Sequence, residues 1–215
     1  MATSEGTTRV ATRNEPLRCA ILISGSGSGM QAMLEHQQNP NCTHITTVVV
    51  SNKSGVKGIE RAANFDTPTV VVETSLDLIG DERRIAHELE IEQVLFDHEV
   101  ELVILSGYMR LLSPQFVERW EGKIINIHPS LLPDFPGAHA HRDAIASGVD
   151  KSGCTVHYVD AGMDTGQIIA QCEVEVLPED TEETLASRVK HFEHILYPLV
   201  VDAIASGDFS NLNCD

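Results

Sequence analysis

The sequence predicts an α/β fold: a single domain with an open, twisted, mostly parallel sheet, an antiparallel C-terminal strand addition and a long closing helix. Two observations support this prediction. Short apolar runs that are typical of buried strands alternate with helical stretches, which indicates βαβ units and a parallel sheet. Near the C-terminus this alternation gives way to two adjacent strand-like runs and one long helical stretch.

Five apolar runs account for the parallel strands. The first, Cys19–Ser24, is continuously apolar, as expected of a strand that is buried on both faces. Four further runs have the same character: Ile45–Val50, Thr69–Val72, Leu102–Leu105 and Lys123–Asn126.

Helical stretches connect these runs, namely Met30–His36, Val56–Asn64 and Asp81–Asp97. In the third stretch, apolar residues recur with helical spacing at Ile85, Leu89, and Val94 or Leu95. We therefore expect this apolar face to be buried and the acidic residues to cover the remaining face.

The C-terminal part of the chain has a different pattern. Cys154–Val159 and Gln167–Val176 are separated by a short turn region that contains Gly and Asp, which predicts an antiparallel pair. The stretch Thr181–Ala205 predicts the closing helix, and both Thr181 and Thr184 are suitable residues near its start.

The chain shows no internal repeat and no interior linker. We therefore expect residues 18–215 to form one domain. Residues 1–17 are polar and lack the apolar segment of a secretory signal, so we expect a disordered extension, with a start-site artefact as the alternative.

The charge balance excludes several classes of partner. The chain of 215 residues has 15 basic and 32 acidic residues, a formal net charge of −17 at pH 7. Most of the surplus lies in residues 73–101 and 173–183, whereas residues 1–72 are slightly positive and residues 105–145 are balanced. Without a basic stripe, we expect no binding to nucleic acid or to an anionic membrane surface.

The five cysteines are an odd number and contain no C-x-x-C pair, so their spacing indicates no metal site. Cys19 and Cys172 lie in strand-like runs, where we expect buried, inert thiols. No apolar run approaches the length needed to span a bilayer. These features together predict a protein of the reducing cytoplasm.

A glycine-rich loop, Gly25-Ser-Gly-Ser-Gly29, joins the first strand to the first helix. Free backbone N–H groups and the positive end of a helix dipole can hold a phosphate there. The third glycine comes one position early for a dinucleotide-binding fingerprint, and no Gly-Lys-Ser/Thr follows as in a Walker loop. A generic anion site and a merely tight turn are both compatible with this pattern.

The segment Asn126-Ile-His128-Pro-Ser-Leu-Leu-Pro133 is a more specific signal. Ligands of open α/β sheets bind beyond the carboxyl ends of the strands, where we expect Asn126 and His128 to lie. Asn126 can donate a hydrogen bond to a developing oxyanion, and His128 can transfer a proton near neutral pH. The alternative is an asparagine that caps a loop and a histidine that is bonded to the backbone.

An acidic loop, Asp160-Ala-Gly-Met-Asp164-Thr-Gly166, follows a strand-like run. A carboxylate that faces a histidine orients the ring and raises its pKa by stabilising the imidazolium. Asp164 and His128 are therefore a candidate acid–base pair, although Asp164 taken alone is also a suitable turn residue.

The remaining histidines include two spaced pairs. His139 and His141 alternate in a loop, and His191 and His194 are three apart in the predicted closing helix. Each pair could hold a metal, but no third ligand is evident at a diagnostic spacing. The sequence therefore predicts no metal site.

These motifs resemble those of the phosphoribosylglycinamide formyltransferases, the folate-dependent enzymes of purine biosynthesis. The likeness extends from about Cys19 to the C-terminal helix. It is carried by six segments: Ile23–Ser28, Ser106–Pro114, Asn126–Pro133, Met163–Gly166, Glu193-His194 and Tyr197-Pro198. The resemblance implies a Rossmann-like formyltransferase fold.

The resemblance also implies transfer of a formyl group from 10-formyltetrahydrofolate, a co-substrate, to the amine of glycinamide ribonucleotide. The amine would attack the formyl carbon directly. Asn126 would hold the formyl oxygen, His128 would donate a proton, and Asp164 would raise the pKa of that histidine and help to move protons through water. The implied partners are small molecules only, no metal is required, and the protein would be a monomer or a homodimer.

Two binding sites follow from the same resemblance. The ribonucleotide phosphate and ribose would contact Gly27, Ser28, Gly29, Lys190 and Glu193. The folate would contact Arg84, Met109, Arg110, Leu111, Leu112, Asn126, Asp160, Ala161, Gly162, Met163 and Asp164. Without the resemblance, Met109, Leu111 and Leu112 would be interpreted as ordinary core residues.

The sequence departs from the family pattern in two loops. The glycine loop of the family commonly has the sequence Gly-Asn-Gly-Ser-Asn, and here Ser26 and Gly29 replace both asparagines. The backbone donors remain, so we expect phosphate binding to persist without a side-chain contact from residue 29. Asp134 stands where relatives often carry a basic or small residue, and the loop Ala138-His-Ala140 is less bulky than usual.

Two other functions stay open at this level. A formyltetrahydrofolate hydrolase shares the Asn-x-His and Asp elements, but that family typically has an N-terminal regulatory domain, which a short polar extension cannot supply. A catalytically silent nucleotide-binding module would need only the phosphate loop, whereas Asn126, His128 and Asp164 are all present here.

Overall fold

The computed structural model describes residues 9–212 and residue 214, and in this part of the chain seven strands form one sheet with six helices around it. The strands are β1 (Leu17–Ile23), β2 (His44–Ser51), β3 (Thr69–Val71), β4 (Leu102–Leu105), β5 (Ile124–His128), β6 (Lys151–Tyr158) and β7 (Ile168–Glu175). The helices are α1 (Ser28–His36), α2 (Lys57–Ala63), α3 (Gly80–Asp97), α4 (Pro114–Arg119), α5 (Ala140–Ser147) and α6 (Glu182–Ser206).

The strand order is β3-β2-β1-β4-β5-β6-β7. Neighbours from β3 to β5 are parallel, and β6 and β7 are added antiparallel, so the predicted fold class is confirmed. The order reverses between β1 and β4, which is the place where open α/β sheets form a ligand crevice.

The sheet has an apolar core on each face. Ile21 of β1 packs into the core that also contains Met33 of α1 and Val200 of α6. Its neighbour Leu22 packs into the opposite core, which contains Phe116 of α4. Because successive residues of a strand point to opposite faces, a strand buried on both sides is apolar throughout, as predicted for this run.

Helix α3 buries a different face from the predicted one. Ile85 is 40% exposed and Leu89 is 53% exposed, whereas Leu95 is buried as expected. Glu88 and Glu92 are buried on the same helix. The prediction that the acidic residues cover the outer face is therefore wrong for these two side chains.

The two buried carboxylates of α3 are satisfied by donors from α4 and from the residues on either side of it. Glu88 accepts hydrogen bonds from the backbone N–H and the hydroxyl of Ser113. Glu92 accepts from Arg119 Nε at 2.7 Å and from Trp120 Nε1 at 3.3 Å. Buried carboxylates are tolerated where such partners compensate for lost water, and apolar spacing cannot reveal this.

The closing helix α6 begins as predicted. Thr181 is the N-cap, its side chain accepts from the Thr184 backbone N–H, and the Thr184 side chain accepts from the Thr181 N–H. Both threonines thus form a reciprocal capping box. Within the described residues, none of the helices combines the length and the apolar character needed to cross a membrane.

The predicted disordered extension packs against the domain from residue 9 onward. Ala11 is buried, and its N–H donates to the Ala205 carbonyl at the end of α6, at 2.7 Å. Arg9 Nε forms an ion pair with Glu101 at 2.9 Å. The prediction is therefore wrong for this part, because a polar segment can be held by backbone and charge contacts that its composition does not show. Residues 1–8 lie outside the described residues.

One cysteine prediction is also wrong. Cys172 in β7 forms a disulfide with Cys214, and their Cα atoms are 6.0 Å apart. The pairing depends on the return of the C-terminal segment to β7, which residue spacing cannot show. Cys19 is a buried free thiol, as expected, and burial raises its pKa.

Candidate active site

Two clefts open at the carboxyl ends of β4 and β5. The first has a volume of about 410 Å³ and the second about 370 Å³. Asn126 lines the first cleft and its neighbour Ile127 lines the second. Since adjacent side chains of a strand point to opposite faces, β5 separates the two clefts.

The second cleft collects every residue predicted for the ribonucleotide. Gly27, Ser28 and Gly29 line one side, and Lys190 and Glu193 of α6 line the other. Gly27 is the N-cap of α1 with a φ of 66°, a left-handed conformation that favours glycine. The cleft thus combines the positive end of a helix dipole with a lysine.

Glu193 has an unusual environment in the second cleft. Burial raises the pKa of its carboxyl to about 7, although the charge of Lys190 acts in the opposite direction. Burial also favours the neutral form of His141, which lines the same cleft, and therefore lowers the pKa of its ring. The second cleft therefore holds a carboxyl that gains or loses its proton near neutral pH.

The first cleft collects nearly all the residues predicted for the folate: Arg84, Arg110, Leu111, Leu112, Asn126, Asp160, Ala161, Gly162, Met163 and Asp164. Met109 is the exception, because it lines the second cleft and its N–H donates to Ser24 Oγ at 2.8 Å. Met109 is 77% exposed and Leu111 is 62% exposed, so neither is an ordinary core residue.

The charged wall of the first cleft consists of Arg84 and Arg110. Arg84 Nη2 forms an ion pair with Asp81 at 2.7 Å. Its buried Nε has no hydrogen-bond partner among the described residues. A guanidinium that lines a cleft is suited to a carboxylate of a ligand.

His128 and Asp164 are brought together as predicted. His128 Nδ1 lies 3.3 Å from Asp164 Oδ2, and its Nε2 lies 2.9 Å from the Phe135 carbonyl oxygen. The Gly137 N–H donates to the same Asp164 oxygen at 2.9 Å. Both ring nitrogens of His128 therefore face oxygen atoms of the protein.

His157 completes the network, although no sequence motif singles it out. Burial lowers its pKa, which favours the neutral ring, and its Nδ1 lies 2.9 Å from the Tyr158 carbonyl oxygen. With Nδ1–H donating to that oxygen, Nε2 accepts from the Asn126 amide at 3.3 Å. The second N–H of the amide stays available to the first cleft, and Asp164 Oδ1 lies 3.7 Å from His157 Nε2.

The position of His157 in the pairing of β5 with β6 is what identifies it as part of the site. Antiparallel pairing of β5 with β6 places Asn126 opposite His157. A polar residue inside a buried strand, directly opposite a candidate catalytic residue, would have identified it. Strand register across a connection of this length is not visible in the spacing of the motifs.

The model of the formyl transferase family matches residues 17–201. The chain belongs to the formyl transferase family. The matched span begins at the first residue of β1 and ends within α6, so it contains both clefts and the network around Asn126. The family resemblance predicted from the motifs is confirmed.

Two kinds of protein are similar to this formyl transferase, single enzymes and longer multifunctional chains. Phosphoribosylglycinamide formyltransferase from Bacillus subtilis (strain 168) is 43% identical over 182 residues, which cover 85% of this chain and 91% of that protein. The trifunctional purine biosynthetic protein adenosine-3 of Drosophila pseudoobscura pseudoobscura is 44% identical over 192 residues, or 88% of this chain. The chain spans only 14% of that longer protein.

Solved structures show the same likeness. Glycinamide ribonucleotide transformylase 1 from Symbiobacterium toebii superposes with a TM-score of 0.84 at 38% identity, and 89% of each chain is covered. Phosphoribosylglycinamide formyltransferase from Brucella melitensis has a TM-score of 0.82 at 43% identity, covering 89% of this chain and 97% of that one.

Residue 29 is glycine here, where the family commonly has asparagine, and a neighbouring side chain leaves little room for anything larger. A Cβ atom added to Gly29 would lie 2.7 Å from Ser106 Oγ, closer than van der Waals contact allows. Ser106 follows β4 and is itself buried. Glycine at residue 29 and serine at residue 106 therefore fit each other, and the backbone N–H groups of the loop stay open to the second cleft.

Proposed function

We propose that the chain transfers the formyl group of 10-formyltetrahydrofolate to the amine of 5′-phosphoribosylglycinamide, in purine biosynthesis. The observation that carries the proposal is the pair of clefts that adjoin at β5, with Asn126 and Asp164 lining the first of them and the buried His128 held behind Asp164. The name of the Bacillus subtilis relative, which matches over most of its own length, supports the same activity.

The first cleft is proposed to hold the folate. Leu111 and Leu112 supply an apolar wall for the pterin, and residues 160–164 form the loop that borders it. Arg84 and Arg110 are suited to the anionic groups of the cofactor, because a guanidinium matches a carboxylate in two hydrogen bonds.

The second cleft is proposed to hold the ribonucleotide. Its phosphate would accept hydrogen bonds from the backbone N–H groups of residues 27–29, and Lys190 would contribute charge. Glu193, which lines the same cleft, would accept hydrogen bonds from the ribose hydroxyls once it is ionised.

The proposed reaction is direct attack of the amine nitrogen on the formyl carbon. A C–N bond forms, and the formyl oxygen gains negative charge that the free N–H of Asn126 stabilises. His128 would then protonate the folate nitrogen as the bond between that nitrogen and the formyl carbon breaks, using the N–H of Nε2 once it leaves the Phe135 carbonyl oxygen. Asp164 stabilises the charge on His128, and the proton lost by the amine leaves through water next to this carboxylate. Alignment of the two substrates across β5 supplies much of the rate.

The remaining parts of the proposal concern partners and location. The amide, imidazole and carboxylate supply the groups that the reaction needs, so the transfer is proposed to need no metal cofactor. The chain would act on small molecules alone, as a monomer or a homodimer. We place it in the cytoplasm, where the free thiols Cys19, Cys42 and Cys154 would stay reduced and the Cys172–Cys214 disulfide would be open to reduction.

The test measures formation of the deformylated folate by absorbance, with and without glycinamide ribonucleotide. The proposal expects turnover only when the ribonucleotide is present. Turnover without it would indicate a formyltetrahydrofolate hydrolase, and no turnover in either case would indicate a silent nucleotide-binding module.

Substitutions test the assigned roles. His128→Ala and Asp164→Asn are each expected to lower turnover by about 100-fold or more, the usual contribution of general acid–base catalysis. His98→Ala, a histidine at the end of α3, is the matched control, and circular dichroism checks that all three variants fold. A variant at residue 128 or 164 that keeps wild-type turnover would remove that residue from its role.

A further inference from the structure

Four side chains with metal-binding atoms meet at the amino edge of the sheet, opposite the clefts. His36 is the last residue of α1, Cys42 lies in the following loop, and His44 is the first residue of β2. Asp202 reaches the same place from α6. We call these four residues the amino-edge cluster.

The distances within the amino-edge cluster are short. His36 Nε2 lies 2.7 Å from Asp202 Oδ2, and His44 Nε2 lies 3.2 Å from Asp202 Oδ1. Cys42 Sγ lies 3.9 Å from Asp202 Oδ1. All four potential ligand atoms lie within 4.8 Å of one another.

His44 provides the strongest indication that the cluster holds a ligand. Its side chain is fully buried, and its Nε2 makes no hydrogen bond of acceptable geometry to any described residue, although the Asp202 carboxylate is close. A buried polar nitrogen without a well-formed hydrogen bond is costly, and a cation that replaced the ring proton would bond to both this nitrogen and the Asp202 carboxylate.

We propose that His36, Cys42, His44 and Asp202 bind one divalent cation of the zinc type. Tetrahedral zinc takes nitrogen, sulfur and carboxylate ligands at about 2.0–2.3 Å, which places neighbouring ligand atoms about 3.3–3.8 Å apart. The longest separation in the cluster therefore has to shorten by about 1 Å, within the reach of side-chain rotation. Sulfur and imidazole donors favour zinc over calcium or magnesium.

The exposure of the cluster provides a way in for the ion. The side chains of His36 and Asp202 are 27% and 36% exposed, whereas His44 forms the buried floor. An ion can therefore enter from solvent and be closed off from the interior by His44.

Gln37 lies next to the site and determines which ring nitrogen of His44 carries the proton. Its amide nitrogen lies 2.9 Å from His44 Nδ1, and its oxygen accepts from the Thr46 N–H at 3.0 Å. In this arrangement the Gln37 amide donates to Nδ1 and the ring proton is on Nε2, so metal binding at Nε2 has to displace that proton. The loaded site carries the proton on Nδ1 instead and needs an oxygen acceptor at this position. A glutamate at residue 37 would accept from both donors at once.

The proposed role of the ion is structural. It would join the end of α1 and the start of β2 to α6. Asp202 is nine residues beyond Glu193, about 14 Å along the helix, so the ion would not touch the clefts. The inference is independent of the proposed formyl transfer, and either can fail without the other.

The experiment titrates the full chain with Co²⁺ after dialysis against EDTA. We expect one equivalent to bind, with the intense visible absorption of tetrahedral Co²⁺ and a charge-transfer band from the Cys42 sulfur, and Zn²⁺ should abolish both. Zn²⁺ should also raise the Tm of the wild-type protein. Failure of the wild-type protein to bind one equivalent would overturn the proposal.

Variants assign the donors. Cys42→Ser should lose the charge-transfer band, and His36→Gln and Asp202→Asn should each weaken Co²⁺ binding by about 100-fold or more. Gln37→Glu should tighten binding about tenfold. His98→Gln is the control and should bind like the wild type.

Three results from the variants would contradict the site. They are a wild-type spectrum in Cys42→Ser, unchanged affinity in both His36→Gln and Asp202→Asn, and weaker binding in Gln37→Glu. Circular dichroism of each metal-free variant separates lost binding from lost structure. His36 is partly exposed, so its substitution is the one least expected to affect folding.

Discussion

The buried carboxyl of Glu193 makes the free energy of unfolding depend on pH. Burial raises the pKa of its carboxyl from an ordinary value of 4.5 to about 7, and Lys190 offsets this only in part. Between these two values the folded protein holds a proton that the unfolded chain has released. The contribution of Glu193 to the free energy of unfolding is therefore fully present below about pH 4.5 and is lost as pH rises to about 7.

The size of the effect follows from the two pKa values. At about 1.4 kcal/mol per pH unit, the interval corresponds to about 3 kcal/mol. Because the carboxyl lines an open cleft, solvent screening reduces this to about 2 kcal/mol. Glu193→Gln keeps the shape of the side chain and never ionises, so it avoids this loss.

The assay is urea denaturation of the wild type and Glu193→Gln between about pH 5 and about pH 8. Other groups titrate in this range, but they contribute equally to both proteins, so the difference isolates Glu193. We expect the variant to gain about 2 kcal/mol relative to the wild type across the range. Glu121→Gln, at an exposed position, is the matched control. Parallel profiles for the wild type and Glu193→Gln would refute the reasoning.

Three further substitutions test other contacts. Asn126→Ala should lower turnover about 100-fold with an unchanged KM for the ribonucleotide, measured by steady-state kinetics, and a change confined to KM would contradict its role. Tyr197→Phe should lower the free energy of unfolding by about 1–2 kcal/mol in urea, because the hydroxyl hydrogen-bonds to the Leu105 and Ile125 carbonyls at 3.0 Å. Thr181→Ala should cost about 1 kcal/mol in thermal unfolding, and an unchanged Tm would count against the cap.

The sheet could be predicted from sequence because its central strands are buried on both faces. An apolar run as short as Leu102–Leu105 is typical of a buried strand, because helices are usually longer. The short helices α4 and α5 were missed because neither has enough turns to show a periodic face. Ser113 followed by Pro114 was nevertheless an available start signal, and the structure uses Ser113 as the N-cap of α4.

The site was predictable where its residues form a local motif. Asn126 and His128 lie on one strand, and Asp164 belongs to a short loop that the family resemblance identified. His157 and the partners of Glu88 depend on strand register and on packing between helices, so spacing along the chain does not reveal them. The amino-edge cluster was missed for the same reason, since Cys42 and Asp202 are 160 residues apart.

The close approach of Gly29 to Ser106 also constrains how the two loops can change over time. An asparagine at residue 29, common in the family, would collide with the serine hydroxyl unless that side chain rotated or was replaced first. The two positions are therefore coupled through the orientation of the Ser106 hydroxyl, and a rotation of that side chain can relieve the contact. A side chain introduced at residue 29 would thus fix the Ser106 rotamer as well as its own.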